Sequence, residues 1–187
     1  IEKLIKEYHR YKYNIVYTQK SGDAFSLSQQ AIIDGIDIVI AVGGDGTASE
    51  CAIGLIGSKT ALAIIPCGSG NGFAYHFNIK RNVEDALLQL NNNEIKFIDS
   101  CQANKLNFIN VSGIGFDAHI ASLFAKNKKR GFYSYIKLTL KEIFYKAKLY
   151  KIEYEGIKRE VSAFAIVFAN ASQYGNDARI APNAKED

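Results

Sequence analysis

Apolar side chains recur at helical spacing at Ile1, Leu4, Ile5 and Tyr8, and residues 13–18 are then rich in β-formers, so a helix is expected to lead into a strand. After the turn at Ser21-Gly22, Asp23 can cap a helix running to about Asp34. Residues 37–42 follow as a near-continuous apolar run, the pattern of a strand buried on both faces. A helix from Thr47 to about Ile56 and a strand over 61–65 repeat the unit, and this alternation predicts a parallel sheet with helices on both sides. From about Ile95 the rhythm changes. Residues 95–103 with 106–113 read as one antiparallel hairpin and 149–155 with 161–169 as another, with a long helical stretch over 131–148 between them. Three asparagines at 91–93 interrupt the pattern, which places an α/β domain over 1–93 and a β-rich domain over 94–187.

Composition narrows the classes of function. The longest apolar runs, near 36–42, 61–66 and 163–169, are far short of the roughly 20 residues a membrane-spanning helix needs. Residues 1–13 carry charges throughout and lack the apolar core of a signal peptide. Cys51, Cys67 and Cys101 are odd in number and widely spaced, so neither a disulfide framework nor a zinc site is expected, and a reducing, cytoplasmic setting fits. His9, His76 and His119 have no ligand-spaced partners and read as structural or surface residues. The net charge of +4 is too weak to argue for nucleic acid. It is uneven, however: nine basic residues and one acid, Glu142, lie between Lys126 and Lys151. There Tyr133, Ile136, Leu140, Ile143, Phe144 and Ala147 share one helical face, flanked by Lys137, Lys141 and Lys148. That face suits either an anionic membrane surface or packing on the β-rich domain with a solvated basic edge.

The chemistry concentrates in two glycine loops. Residues 42–50 read V-G-G-D-G-T-A-S-E, leave an apolar strand and open a helix, the position at which an open α/β sheet binds phosphate. Gly43, Gly44 and Gly46 would let anionic oxygens approach the main chain, while Thr47 and Glu50 fit a capping box. A dinucleotide fingerprint fails because Ser49 occupies the third glycine position, and a P-loop fails because no Gly-Lys-Ser/Thr follows a strand. A second loop, with Gly68, Ser69, Gly70, Asn71 and Gly72, again leaves a strand and enters a short helix. Either loop alone is as readily an ordinary strand-to-helix turn; two at adjacent strand ends can face one ligand. A carboxylate at Asp45 would repel phosphate unless it orients magnesium or accepts a proton, the alternative being a turn aspartate. Asp117, before an apolar helix over 118–124, is a cleft residue or an N-cap.

These residues resemble the diacylglycerol kinase catalytic domain family, which includes bacterial lipid kinases, sphingosine kinases and ceramide kinases. Gly43-Gly44-Asp45-Gly46-Thr47 with Ala48, Ser49 and Glu50 looks like the family's nucleotide loop, and Pro66-Cys67-Gly68-Ser69-Gly70-Asn71 with Phe73-Ala74 like its second loop. Thr18 sits where the family has a nucleotide-contacting threonine. Residues 113–118 and Ala181-Pro182-Asn183-Ala184 resemble later family segments, and Asp187 is a metal-ligand candidate on resemblance alone. Gly72, where the family often has Asp, and Ser69, where it often has Thr, are departures that leave the head group open.

The resemblance implies an α/β N-terminal domain with a parallel sheet similar to phosphofructokinases and NAD kinases, a second β-rich domain and a cleft between them. It also implies that a first strand precedes Ile1 and further strands follow Asp187. By the same resemblance, ATP and Mg2+ serve transfer of the γ-phosphate to diacylglycerol or a similar membrane lipid, at the cytoplasmic face of the inner membrane. A sphingoid-base kinase, an NAD kinase and a non-catalytic nucleotide- or lipid-binding module are the alternatives.

Overall fold

The computed structural model describes residues 3–4, 12–92, 94–126, 139–140, 142, 144–175 and 178–184. Its contacts divide the chain into two compact units, Ile1–Asn110 with Ala169–Asp187, and Val111–Phe168.

The first unit is built on a β-α-β crossover. Strand β1 (Ile38–Gly43) pairs in parallel with β2 (Ala61–Pro66), in register from Ile38 opposite Ala61 to Gly43 opposite Pro66. A parallel pair needs a long connection, and helix α2 (Asp45–Leu55) supplies it. Helix α1 (Asp23–Ile33) precedes β1, and α3 (Gly72–His76) and α4 (Val83–Leu90) follow β2. Helix α4 has its own start signal: Asn82 accepts the amides of Glu84 at 2.8 Å and Asp85 at 3.4 Å. The core joins Ala48 and Ala52 of α2, Ile64 of β2 and Phe73 and Ala74 of α3 to Ile109 and Ala171 from far along the chain. A second cluster joins Ala24, Ala41 and Cys51.

Several expectations are corrected here. Residues 13–18 take no part in the described sheets, because a strand exists only through its ladder, and Val16 and Tyr17 lie exposed. Strand β1 is not covered on both faces: Ala41 is buried, while Ile38, Ile40 and Val42 on the opposite pleat stay partly open. Asp23 does not cap α1, whose N-cap is Gly22 at φ 89°. Its carboxylate instead turns back and accepts the amides of Gln19 and Lys20 at 2.8 and 3.0 Å. The first hairpin is shorter than its apolar pattern, β3 (Cys101–Ala103) with β4 (Leu106–Phe108). Although the pattern breaks near Ile95, residues 94–110 belong with the first unit, since Ile109 fills its core beside Ala48 and Ala52.

In the second unit, β5 (Val111–Gly115) leads into α5 (Phe116–Lys126) and neighbours β8 (Ala165–Ala169). Strands β6 (Lys148–Tyr154) and β7 (Ile157–Ala163) form an antiparallel hairpin. Glu155 and Gly156 turn it with φ of 49° and 76°, the left-handed pair that a two-residue hairpin requires. This turn moves the second strand four residues upstream of its expected start at Val161 and leaves 165–169 as a strand of its own. Phe116, Tyr145 and Phe164 pack as an aromatic cluster with centroids 4.4 to 5.5 Å apart. The helix expected over 131–148 lies mostly outside the described residues; its last residue, Lys148, is drawn into β6 by its ladder partner Ala163. No helix among the described residues is long and apolar enough to cross a membrane.

Candidate functional site

The two glycine loops meet because β1 and β2 are parallel neighbours that end together. The ladder runs one step past the strands, with the Cys67 amide donating to the Gly43 carbonyl at 2.8 Å. From there the loops touch backbone to backbone. A Cβ on Gly68 would lie 2.5 Å from Gly44 Cα, and one on Gly44 would lie 3.1 Å from Gly68 Cα. Gly68 is therefore demanded by Gly44, and a side chain at Gly44 would press on Gly68 in turn. Gly43 is likewise covered by its own loop, since a Cβ there would lie 2.7 Å from Thr47 Oγ1. Gly46 differs: a Cβ would meet nothing within 4 Å, so its free side is open space.

Asp45 clasps the loops together, its Oδ1 accepting the Phe73 amide at 3.1 Å. Its Oδ2 faces Gly70, where an added Cβ would sit 3.1 Å away. Asn71 closes the second loop on itself from a left-handed backbone at φ 55°. Its Oδ1 accepts the Gly68 amide at 2.8 Å, and its Nδ2 donates to the Gly68 carbonyl at 2.8 Å and the Tyr75 hydroxyl at 3.3 Å. At 3 % exposure its side chain holds the shape of the loop. Ser69 stands exposed on the crest of the loop.

Helix α2 starts at Asp45, two residues before the expected cap at Thr47, and its N-cap, Gly44, offers no side-chain cap. The first backbone bond of the helix is that of the Ala48 amide to the Gly44 carbonyl at 3.1 Å, which leaves the first-turn amides of 45–47 without that partner. Uncapped amides and the helix dipole make this end attractive to an anion. The capping box is overturned for the same reason. Glu50, one turn in, instead reaches across to the loop before α1, where its Oε1 accepts the Ser21 hydroxyl and the Gly22 amide, both at 3.0 Å.

Beside this end lies a polar cavity of about 270 Å3 lined by Thr18, Gln19, Lys20, Ser21, Ala24, Thr47 and Glu50. Two carboxylates tie down the 18–22 loop that forms one wall, Glu50 from α2 and Asp23 from α1. Accepting the Gln19 and Lys20 amides, with the Lys20 charge nearby, holds Asp23 below the usual carboxylate range. The structure thus brings Thr18, Thr47 and Glu50 to one cavity and Gly43, Gly44, Asp45, Gly68, Gly70 and Asn71 to one clasp. Ala48 belongs to neither: it is 2 % exposed and packs in the core. Ser49 is half-buried along α2. Asp117 falls inside the first turn of α5, not ahead of the helix, and Asp187 lies outside the described residues.

Two sets of residues escaped the sequence reading. Gln19, Lys20, Ser21 and Ala24 carry no motif; proximity to Thr18 and the Ser-Gly turn was the available signal. Tyr174 and Gly175 lie over the second loop: Gly175, at φ 120°, bridges Asn71, and a Cβ on Gly72 would lie 2.5 Å from the Tyr174 carbonyl carbon. Only the fold brings that segment there.

Comparison with known proteins gives this arrangement its family. The diacylglycerol kinase catalytic domain model matches residues 1–103, and the YegS C-terminal NAD kinase beta sandwich-like domain model matches residues 110–187. The chain belongs to the diacylglycerol kinase catalytic domain family. It is 33 % identical over 178 residues to a protein of Chromohalobacter salexigens named "Probable lipid kinase YegS-like", covering 91 % of this chain and 57 % of that protein. It is 37 % identical over 103 residues to a diacylglycerol kinase of Bacillus subtilis, covering 52 % of this chain and 33 % of the relative. The crystal structure of a diacylglycerol kinase from Bacillus anthracis str. Sterne superposes with a TM-score of 0.76 at 29 % identity, covering all of this chain and 62 % of that one. The chain thus spans less than two thirds of these relatives.

Proposed function

We propose that the whole protein transfers the γ-phosphoryl group of ATP to the hydroxyl of diacylglycerol or a similar membrane lipid. One observation carries the reading: the uncapped N-terminus of α2 emerges from two interlocked glycine loops directly beside a polar cavity that Thr18, Thr47 and Glu50 line. Membership of a family whose relatives are named lipid kinases supports it.

In this reading the phosphates lie against the first-turn amides of α2 and the open side of Gly46, and the hydroxyls of Thr18 and Thr47 donate to phosphate oxygens. Lys20 supplies positive charge at the rim. The lipid hydroxyl oxygen bonds to the γ-phosphorus as the bond to the β–γ bridging oxygen breaks, ADP leaves, and the hydroxyl proton is lost. Positioning and charge neutralisation do most of the catalysis in such a transfer. Asp45 Oδ2, not engaged by the Phe73 amide, is the oxygen assigned to receive that proton or to hold a divalent ion. Magnesium fits this donor set, because it keeps waters and phosphate oxygens and takes only one or two carboxylates from protein. Bound there it would neutralise developing phosphate charge; Asp187 is the second carboxylate proposed for it. We assign ATP to the unit that carries the glycine loops, Ile1–Asn110 with Ala169–Asp187, and the lipid to the β-rich unit Val111–Phe168.

Contact with an anionic membrane surface is proposed for the basic stretch 126–151, where Leu140 and Phe144 are 64 % and 88 % exposed. The test of function is labelled phosphate transfer by the full-length protein from ATP to a panel of lipids in mixed micelles. Product from diacylglycerol is expected. Product from sphingosine instead would move the substrate to a sphingoid base, product from NAD alone would sink the lipid reading, and nucleotide binding without any transfer would leave a binding module.

A further inference from the structure

The segment that lies over the second glycine loop is fastened at one histidine. His76 is the last residue of α3, the helix that this loop enters. Its Nδ1 accepts the Ser172 backbone amide at 3.2 Å and lies 3.0 Å from Ser172 Oγ. An amide can only donate, so Nδ1 carries a lone pair and the ring's proton sits on Nε2. Ser172 is in turn the hub of a loop: its carbonyl accepts the amides of Ile180 and Ala181 at 3.1 and 3.2 Å. Further along, Gln173 bridges Arg179 and the Tyr174 amide donates to the Ala178 carbonyl at 3.0 Å. These bonds fold the segment so that its tip, Tyr174 and Gly175, rests on the second glycine loop.

The fit at the tip is close. Gly175 bridges Asn71, and a Cβ on Gly175 would lie 2.6 Å from the carbonyl carbon of Gly70. The same Gly70 faces Asp45 Oδ2. Ser172 is only 8 % exposed, so its amide has little water to turn to when the imidazole acceptor is removed.

We propose that His76 is a positioning residue for the second glycine loop: through Ser172 it holds the Tyr174–Gly175 tip against Gly70 and Asn71 and so keeps that loop seated against Gly44 and Asp45 of the loop assigned to the phosphates. The proposal rests on the nucleotide reading above for its functional half and on geometry alone for its mechanical half. His76 touches no reacting atom in this account, so its effect belongs in nucleotide affinity and not in turnover.

The test compares full-length wild type, His76→Leu and His76→Asn. Asparagine offers Oδ1 near the place of Nδ1 and restores the acceptor; leucine offers none. Amide hydrogen exchange should quicken at Ser172, Tyr174, Gly175 and Asn71 in His76→Leu and stay near wild type in His76→Asn. The KM for ATP should rise about tenfold in the leucine variant with kcat within about threefold, and return in the asparagine variant. In wild type, imidazole 15N shifts should report an unprotonated Nδ1, a measurement that needs no variant to fold. A protonated Nδ1, or unchanged exchange at Asn71 and Gly175 in His76→Leu, overturns the clamp. Faster exchange with an unchanged KM overturns its link to nucleotide. If the whole protein moves no phosphate from ATP, the kinase reading fails, while the exchange pattern and ATP affinity of the same variants still decide the clamp.

Discussion

Asp45 accepts the Phe73 amide at 3.1 Å across 28 residues of chain, so the carboxylate proposed for the chemistry is a strut between the two glycine loops. The two roles use different oxygens, Oδ1 for the strut and Oδ2 toward Gly70.

Asp45→Asn separates them. The amide oxygen can replace Oδ1 at Phe73 while the charge is lost, so the melting temperature should stay within a few degrees of wild type. Turnover should fall by about a hundredfold or more with ATP affinity changed far less. Near-normal turnover would leave Asp45 with the strut alone.

Gly68→Ala and Gly46→Ala form a contrasting pair. The first drives a methyl to 2.5 Å from Gly44 Cα and 2.8 Å from Asn71 Oδ1, and should cost about 1–3 kcal/mol in denaturant unfolding. The second meets nothing within 4 Å and lies in α2, so it should leave stability unchanged or slightly raised. It should nevertheless weaken ATP binding, because its methyl occupies the side assigned to phosphate. Unchanged ATP affinity in Gly46→Ala would place the phosphates elsewhere.

Asp23 sets a pH signature. Its folded pKa lies below the ordinary 3.8 because it accepts two amides, so its contribution is present above that value and is lost as pH falls through the folded pKa. Acid unfolding curves of wild type should therefore be steeper below about pH 4 than those of Asp23→Asn. Superimposable slopes would mean that the Gln19 and Lys20 bonds form equally in the unfolded chain.

Membrane docking is checked by sedimentation with vesicles. Binding of the full-length protein should rise with anionic lipid, fall with salt, and drop by at least roughly a hundredfold in Lys137→Glu, Lys141→Glu, Lys148→Glu, since each lysine lost is worth about 1 kcal/mol and each glutamate adds repulsion. Equal sedimentation of variant and wild type would remove residues 126–151 from the contact.

Local pattern determined the β-α-β unit, because apolar runs of strand length alternating with helical periodicity have few other solutions. It also determined that both glycine loops follow parallel strands, and it carried the family resemblance, since those loops are contiguous in sequence. What each loop residue does was decided by contacts of long range. Glu50 reads as a capping-box partner of Thr47, yet it bonds to Ser21 and Gly22 once α1 and α2 lie side by side. Gly44 and Gly68 read as members of two separate loops, and only the parallel pairing of β1 and β2 brings them backbone to backbone. His76 reads as a lone histidine, yet it meets Ser172, 96 residues away, where the returning chain reaches α3. Periodicity reports which face of an element is apolar, not which distant segment will cover it; hydrogen-bond partners that far apart exist only after the core of Ala48, Ile64, Phe73, Ile109 and Ala171 has closed.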